Sequence, residues 1–248
     1  MNIKEQTILI SGAAGSVGSF IVQELAKEAK RIIALDKDIA KLEHLKSIAA
    51  NVEIYACDLS QSEEVSKVVG LVLNDHNVTV LINLAGLIHS EPLVNLLNKE
   101  NSRHSFQTWD VTIKSNLYST FYLSSVVAEN MVKKRIKGAI INTSSVAAQG
   151  NVGQTAYAAA KAGIEAMTKV WSKELGMFKI RCTCIAPGFF DTPSTRLSLN
   201  ETTIEKWKKA TPIGKLGELN EFLGAVKFII ENEFYNGKVL QLDGGLNI

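Results

Sequence analysis

Tyr157 and Lys161 stand four residues apart in a stretch with a helical pattern. That spacing puts both side chains on one helix face. An ammonium near a phenol favours the phenolate, so such a tyrosine can give or take a proton near neutral pH. Upstream, the apolar run AIINT leads into Ser144 and Ser145. A serine at the carboxyl end of that strand can hydrogen-bond the substrate oxygen that Tyr157 protonates. A second signal lies near the N-terminus, where Gly12, Gly15 and Gly18 follow another apolar run and flank Ser16 and Val17. Glycines there permit a tight turn and let a pyrophosphate approach the backbone, and the next helix offers its free N–H groups to that anion. Asp36 follows, 18 residues after Gly18, at the end of the second apolar run. A carboxylate there can accept hydrogen bonds from both ribose hydroxyls of NAD and would repel a 2′-phosphate, which favours NAD over NADP. Lys37 beside it leaves NADP open.

Seven strands and six helices are expected to position these groups. The runs at 7–11, 31–36, 52–57, 78–83, 139–143, 180–186 and 239–243 are mostly apolar without alternation, which suits parallel strands covered on both faces. Helical patterns fall between them at 17–29, 39–50, 62–73, 109–133, 156–176 and 219–230. Strand–helix alternation implies right-handed crossovers and an α/β, Rossmann-type doubly wound parallel sheet with helices on both faces. No repeat or linker divides the chain, so one domain over 1–248 is expected. Two excursions break the rhythm, at 87–108 and at 189–217, the latter holding one short helix pattern. Both follow strands at the carboxyl edge, where ligands sit in such sheets.

Composition excludes several classes. Of 248 residues, 46% are hydrophobic and 21% charged, as in ordinary globular proteins. Lys and Arg number 27 against 25 Asp and Glu, a net charge of +2 that argues against nucleic-acid binding by bulk charge. Cys57, Cys182 and Cys184 read as small core residues, with neither a disulfide framework nor a metal site implied. No apolar run is long enough for a transmembrane helix, and the first strand pattern begins at Thr7 with no room for a leader. A cytoplasmic protein without membrane or metal partners is expected.

Taken in order, the glycine turn, Asp36, Asp58-Leu59, Asn83-Leu84-Ala85-Gly86, Asn116, INTSS, Tyr157/Lys161, Pro187–Thr192 and Asp243-Gly244-Gly245 closely resemble the marks of the short-chain dehydrogenase/reductase family over essentially the whole chain. The resemblance implies roles. Tyr157 would be the general acid/base, and Lys161 would lower its pKa and bind the nicotinamide ribose. Ser145 or Ser144 would hold the carbonyl oxygen, and Asn116 would support a proton-relaying water. Asp58 and Leu59 would bind the adenine. Gly12, Gly15, Ser16, Val17 and Gly18 would hold the phosphates, with Asn83, Ala85 and Gly86 lining the cofactor. Thr192 would bond the carboxamide, with Pro187, Gly188 and Phe190 along the nicotinamide; Asn116 can also be read as a packing amide and Thr192 as a helix cap.

Three departures matter. Ser16 stands where compact members of the family have glycine, and Leu84 replaces the second Asn of their Asn-Asn-Ala-Gly motif. The family's spacing counted back from Tyr157 lands on Ser144, whereas counting forward along the strand from Asn142 lands on Ser145. Strand register favours Ser145. Within the family, segments such as IAPGFFDTP and YNGKVLQLDGG are most similar to 3-hydroxyacyl-CoA and 17β-hydroxysteroid dehydrogenases. That implies NAD and a secondary alcohol on an acyl thioester or other hydrophobic compound. The alternatives are an NADPH-dependent 3-oxoacyl-carrier-protein reductase and a non-catalytic NAD-binding sensor. Leu87, Ile88, Leu93, Leu96, Leu97 and Phe106 fit either an apolar lid or a stripe packing the first excursion onto the body. The resemblance also implies a homotetramer.

Overall fold

The protein, seen in a computed structural model that describes residues 1–97 and 101–248, is built on one seven-stranded parallel sheet. The strands are β1 (Thr7–Ser11), β2 (Arg31–Asp36), β3 (Val52–Ala56), β4 (Val80–Asn83), β5 (Gly138–Thr143), β6 (Ile180–Pro187) and β7 (Val239–Leu242). Their order across the sheet is β3-β2-β1-β4-β5-β6-β7. Chain direction across the sheet reverses between β1 and β4, which pair from Ile8 opposite Val80 to Ser11 opposite Asn83. A crevice opens at such a reversal, outside the carboxyl ends of the strands.

Side chains alternate between two cores, because successive strand residues point to opposite faces. Ile8, Ile10, Ile32 and Ile82 face one side, against Ile21, Val22 and Leu25 of α1 (Ser16–Ala26) and Phe222, Val226 and Ile229 of the helix Leu219–Glu231. Leu9, Ile33, Leu81 and Ile140 face the other, against Val65, Val69 and Val72 of the helix Ser62–Asp75 and Leu123, Val127 and Met131 of the helix Ser119–Lys133. Leu9 is fully buried, so Leu9→Ala would cost about 2–5 kcal/mol. The strands are apolar on both faces because both faces are covered. In chain order the remaining helices are α2 (Ile39–Lys46), α3 (Ser62–Asp75), α4 (Phe106–Ile113), α5 (Ser119–Lys133), α6 (Thr155–Glu174), α7 (Pro193–Ser198), α8 (Glu201–Ala210) and α9 (Leu219–Glu231).

The elements differ from the expected ones at several ends. β4 starts at Val80 rather than 78, and α2 stops at Lys46 rather than 50. The helix expected at 109–133 begins three residues earlier, because Ser105 Oγ accepts from Thr108 N at 3.2 Å and caps α4. A π-helical turn, Lys114–Tyr118, then joins α4 to α5. The second excursion holds two helices where one was expected, α7 capped by Thr192 with Pro193 in its first turn and α8 capped by Asn200. The apolar residues of the first excursion do not pack onto the body. Exposure runs from 45% at Leu87 to 94% at Leu97, which removes the packing-stripe reading. Cys57, Cys182 and Cys184 are buried free thiols, all pushed up to about 12 chiefly by burial.

Candidate active site

The glycine turn lies at the β1/β4 reversal. Ser11 Oγ, at the end of β1, accepts from Leu84 N at 3.1 Å and Ala85 N at 3.3 Å, tying the turn after β1 to the turn after β4. A Cβ on Gly18 would fall 2.1 Å from the Gly12 carbonyl oxygen, so the turn closes only with glycine there. Gly15 caps α1 without a side-chain hydrogen bond, and the first turn of α1 has no acidic residue. Its N-terminal N–H groups and positive dipole end therefore remain available to an anion. Asp36 sits beside the turn. Its Oδ2 accepts from Ala14 N and its Oδ1 from Asp38 N, both at 3.1 Å. Farther along the same edge, Asp58 Oδ1 accepts from Ser60 N at 3.0 Å and Ser60 Oγ at 2.7 Å, and Leu59 is buried.

Tyr157, Lys161 and the two serines gather where β5 ends and α6 begins. Tyr157 is 7% exposed and Lys161 5%, side by side on the inner face of α6. Burial pushes the Tyr157 phenol up to about 12, and a hydrogen bond with Ser145 acts against that rise. The direction is opposite to the lowered phenol expected of the pair, and burial is its first cause. Burial also brings Lys161 down to about 8, opposed by Cys184. Lys161 Nζ donates to the Thr143 carbonyl at 2.9 Å.

The two serines face different neighbours. Ser145 meets Tyr157, and its Oγ also accepts from Ala147 N at 3.2 Å. Ser144 is buried, and its Oγ donates to Glu165 Oε1 at 2.8 Å and the Lys161 carbonyl at 3.2 Å. Asn116 is fully buried in the π turn, donating from Nδ2 to the Leu87 and Thr112 carbonyls, both at 2.9 Å. Its Oδ1 has no partner among the described residues. A Cβ on Gly86 would meet that oxygen at 2.5 Å and Lys161 Nζ at 3.5 Å, so glycine lets both approach the turn after β4. Asn83 donates to Ser124 Oγ and Asn142 Oδ1, bracing β4 against β5.

The second excursion closes the far side. Gly188 N donates to the Leu242 carbonyl at 2.9 Å, and Phe190 is buried edge-on against Phe222. Phe189 stacks on Trp207 at 4.0 Å. Thr192 Oγ1 accepts from Thr195 N at 3.1 Å, the capping role left open by the sequence. Ser16 and Ser194 hydroxyls lie 2.6 Å apart, joining α7 to the glycine turn. The serine that departs from the family's glycine thus makes a tertiary contact. Glu165, the Thr143 carbonyl, Ser11 and Ser194 escaped the sequence reading. Only Glu165 left a signal there, standing four residues beyond Lys161 as Lys161 stands beyond Tyr157.

An anion-binding turn at the reversal of the sheet, with a phenol, ammonium and serine across the crevice, fits a nicotinamide dinucleotide and defines the class as a Rossmann-type oxidoreductase. A family model described as enoyl-(acyl carrier protein) reductase matches residues 12–247. The 3-oxoacyl-(acyl-carrier-protein) reductase FabG of Thermotoga maritima is 33% identical over 256 residues, covering 100% of both chains. The (3R)-3-hydroxyacyl-CoA dehydrogenase of Canis lupus familiaris is 30% identical, covering 99% of this chain and 98% of its own. A crystal structure of a short chain dehydrogenase from Bacillus anthracis superposes with a TM-score of 0.88 at 27% identity, over 98% of this chain and 97% of that one. The chain belongs to the short-chain dehydrogenase/reductase family, whose members are oxidoreductases that bind a nicotinamide cofactor. Among the described residues, no helix is long and apolar enough to cross a membrane.

Proposed function

We propose that the protein interconverts 3-oxoacyl and 3-hydroxyacyl thioesters with NAD(H), using Tyr157 as general acid/base. The observation that carries the chemistry is the buried phenol of Tyr157 beside Ser145 and Lys161 at the mouth of the crevice. The bound cofactor supplies the hydride in reduction and takes it back in oxidation. A phenol pushed up to about 12 is protonated at neutral pH, the form that donates to a ketone oxygen. Ser145 holds that oxygen, Lys161 holds the nicotinamide ribose, and Asn116 supports the water that passes protons to Lys161. The glycine turn from Gly12 to Gly18 carries the phosphates; Asp58 and Leu59 carry the adenine. Asn83, Ala85 and Gly86 line the cofactor, Pro187, Gly188 and Phe190 run along the nicotinamide, and Thr192 bonds its carboxamide.

Asp36 supports NAD as the partner, because its carboxylate is fixed by two backbone N–H groups beside the turn where a 2′-phosphate would have to lie. The acyl-thioester reading is supported by relatives of both kinds, reductases named for an acyl-carrier-protein substrate and dehydrogenases named for an acyl-CoA. Reduction of acyl-carrier-protein thioesters with NADPH is the second reading, favoured by five 3-oxoacyl-carrier-protein reductases among the similar relatives. A cytoplasmic homotetramer is supported by buried free thiols and by exposed Tyr118 and Phe121 on the α4–α5 helix with exposed Val170 on α6. Screening NAD-linked oxidation across 3-hydroxyacyl-CoAs, hydroxysteroids and sugar alcohols tests the reading. Turnover confined to the thioesters supports it, and turnover of none of them with NAD or NADP overturns it in favour of a sensor.

A further inference from the structure

The first excursion builds a cavity of about 300 Å³ lined by Leu93, Arg103, His104, Phe106, Trp109 and Thr155. That is the lower end of the range of ligand pockets. Its walls are fixed by hydrogen bonds. Glu91 N donates to the Gly153 carbonyl at 2.6 Å, and Gln154 Nε2 reaches Ser90 Oγ at 3.1 Å, tying the excursion to the loop before α6. Val94 pairs antiparallel with Arg103, with His104 N donating to the Leu93 carbonyl at 2.9 Å. Glu91 Oε1 accepts from Ser105 N at 2.9 Å.

Three features of this cavity ask for a ligand of mixed chemistry. Arg103 lies over the Phe106 ring, 5.0 Å from its centre, and pairs with no carboxylate among the described residues. Thr155 opens α6, which has no side-chain cap and no acid in its first turn, so the positive end of a 20-residue helix meets the cavity wall uncompensated. His104 is buried, with Nδ1 at 3.1 Å from the Glu91 carbonyl. That contact makes Nδ1 a donor, and the buried Nε2 has no partner among the described residues. Leu93, Phe106 and Trp109 supply apolar surface between these groups.

We propose, resting on the thioester reading above, that this cavity holds the 4′-phosphopantetheine arm of the substrate. Its phosphate lies on Arg103, its amide and gem-dimethyl segment lies against Leu93, His104 and Trp109, and its thioester end passes Thr155 toward Tyr157, two residues on. An arm of this kind joins one anion, amide N–H donors and branched apolar carbon in a single flexible chain. Coenzyme A and acyl-carrier proteins share it, so the cavity itself does not choose between them.

The test uses the whole protein and pantetheine 4′-phosphate in calorimetry, a readout that needs no turnover. Arg103 is exposed, so Arg103→Glu leaves the fold intact. The unaltered protein should bind pantetheine 4′-phosphate, and Arg103→Glu should weaken binding by about tenfold or more, the scale of one charge-assisted contact. Pantetheine without its phosphate should bind both proteins alike. No binding to the unaltered protein, or equal phosphate-ligand binding by the variant, overturns the proposal whether or not any thioester is turned over. Kinetics with 3-oxoacyl-CoA and 3-oxoacyl-carrier protein then separate the sources. A rise in KM for both, with kcat kept, supports the shared arm. A rise confined to coenzyme A would put Arg103 on the nucleotide phosphates, and one confined to the carrier would put it on the carrier's surface; either overturns the proposal.

Discussion

Lys161 Nζ stands 5.5 Å from the centre of the Tyr157 ring and gives its hydrogen bond to the Thr143 carbonyl, a backbone group of β5. The ammonium is therefore fixed by the strand that leads to Ser145, and α6 and β5 hold a common geometry. That arrangement buries a charge. Lys161 is held at about 8 by burial, against 10.5 for the free side chain.

Stability should show this. Between pH 8 and 10.5 the unfolded chain binds a proton at Lys161 that the folded chain does not, so stability rises with pH across that window. Below pH 8 the full penalty of the buried charge applies. Lys161→Met should therefore be more stable than the parent at pH 7 by about 1–3 kcal/mol, while losing activity. The gap should narrow as pH rises toward 10.5. Tyr157 is common to both proteins and works in the opposite sense, losing stability only from about pH 10 to 12. Denaturant unfolding at pH 7 and pH 10 reads the difference; a parent more stable than the variant at pH 7 would contradict the account.

Cofactor choice should follow the charge at Asp36. NADH should bind far more tightly than NADPH. Asp36→Asn drops the charge and keeps one of the two acceptor oxygens, so it should shrink the preference mainly by improving NADPH binding. Titration of both cofactors checks this, and equal affinities in the unaltered protein would sink the assignment.

The serines should separate cleanly. Ser145→Ala should lower turnover strongly with cofactor affinity kept, because Ser145 is the hydroxyl that meets Tyr157. Ser144→Ala should leave turnover near normal and reduce stability by about 1–3 kcal/mol, since it strips Glu165 of a buried donor. The reverse ranking in kcat would make Ser144 the substrate-facing residue.

Much of this was readable in the residues, for reasons that also explain what was not. Continuous apolar runs such as VLIN reveal strands covered on both faces, and the four-residue spacing of Tyr157 and Lys161 survives because it is local. The start of α4 was missed because Phe106 is exposed and gives no periodic signal, leaving only the Ser105 cap. The π turn depends on its setting, with Asn116 reaching the Leu87 carbonyl 29 residues away, a contact no local pattern encodes. The pairing of Val94 with Arg103 likewise sits in a stretch without alternation. The raised phenol of Tyr157 reflects how completely the crevice walls enclose it, a property of packing rather than of spacing.

The central claim is that Tyr157 moves the substrate proton. The direct measurement is nicotinamide absorbance during reduction of a 3-oxoacyl thioester by the unaltered protein and by Tyr157→Phe, with NADH affinity measured alongside. General acid–base help is worth ~10²–10⁴-fold, so kcat should fall by at least about a hundredfold in the variant while NADH binds as before. Near-normal turnover in Tyr157→Phe would contradict the account.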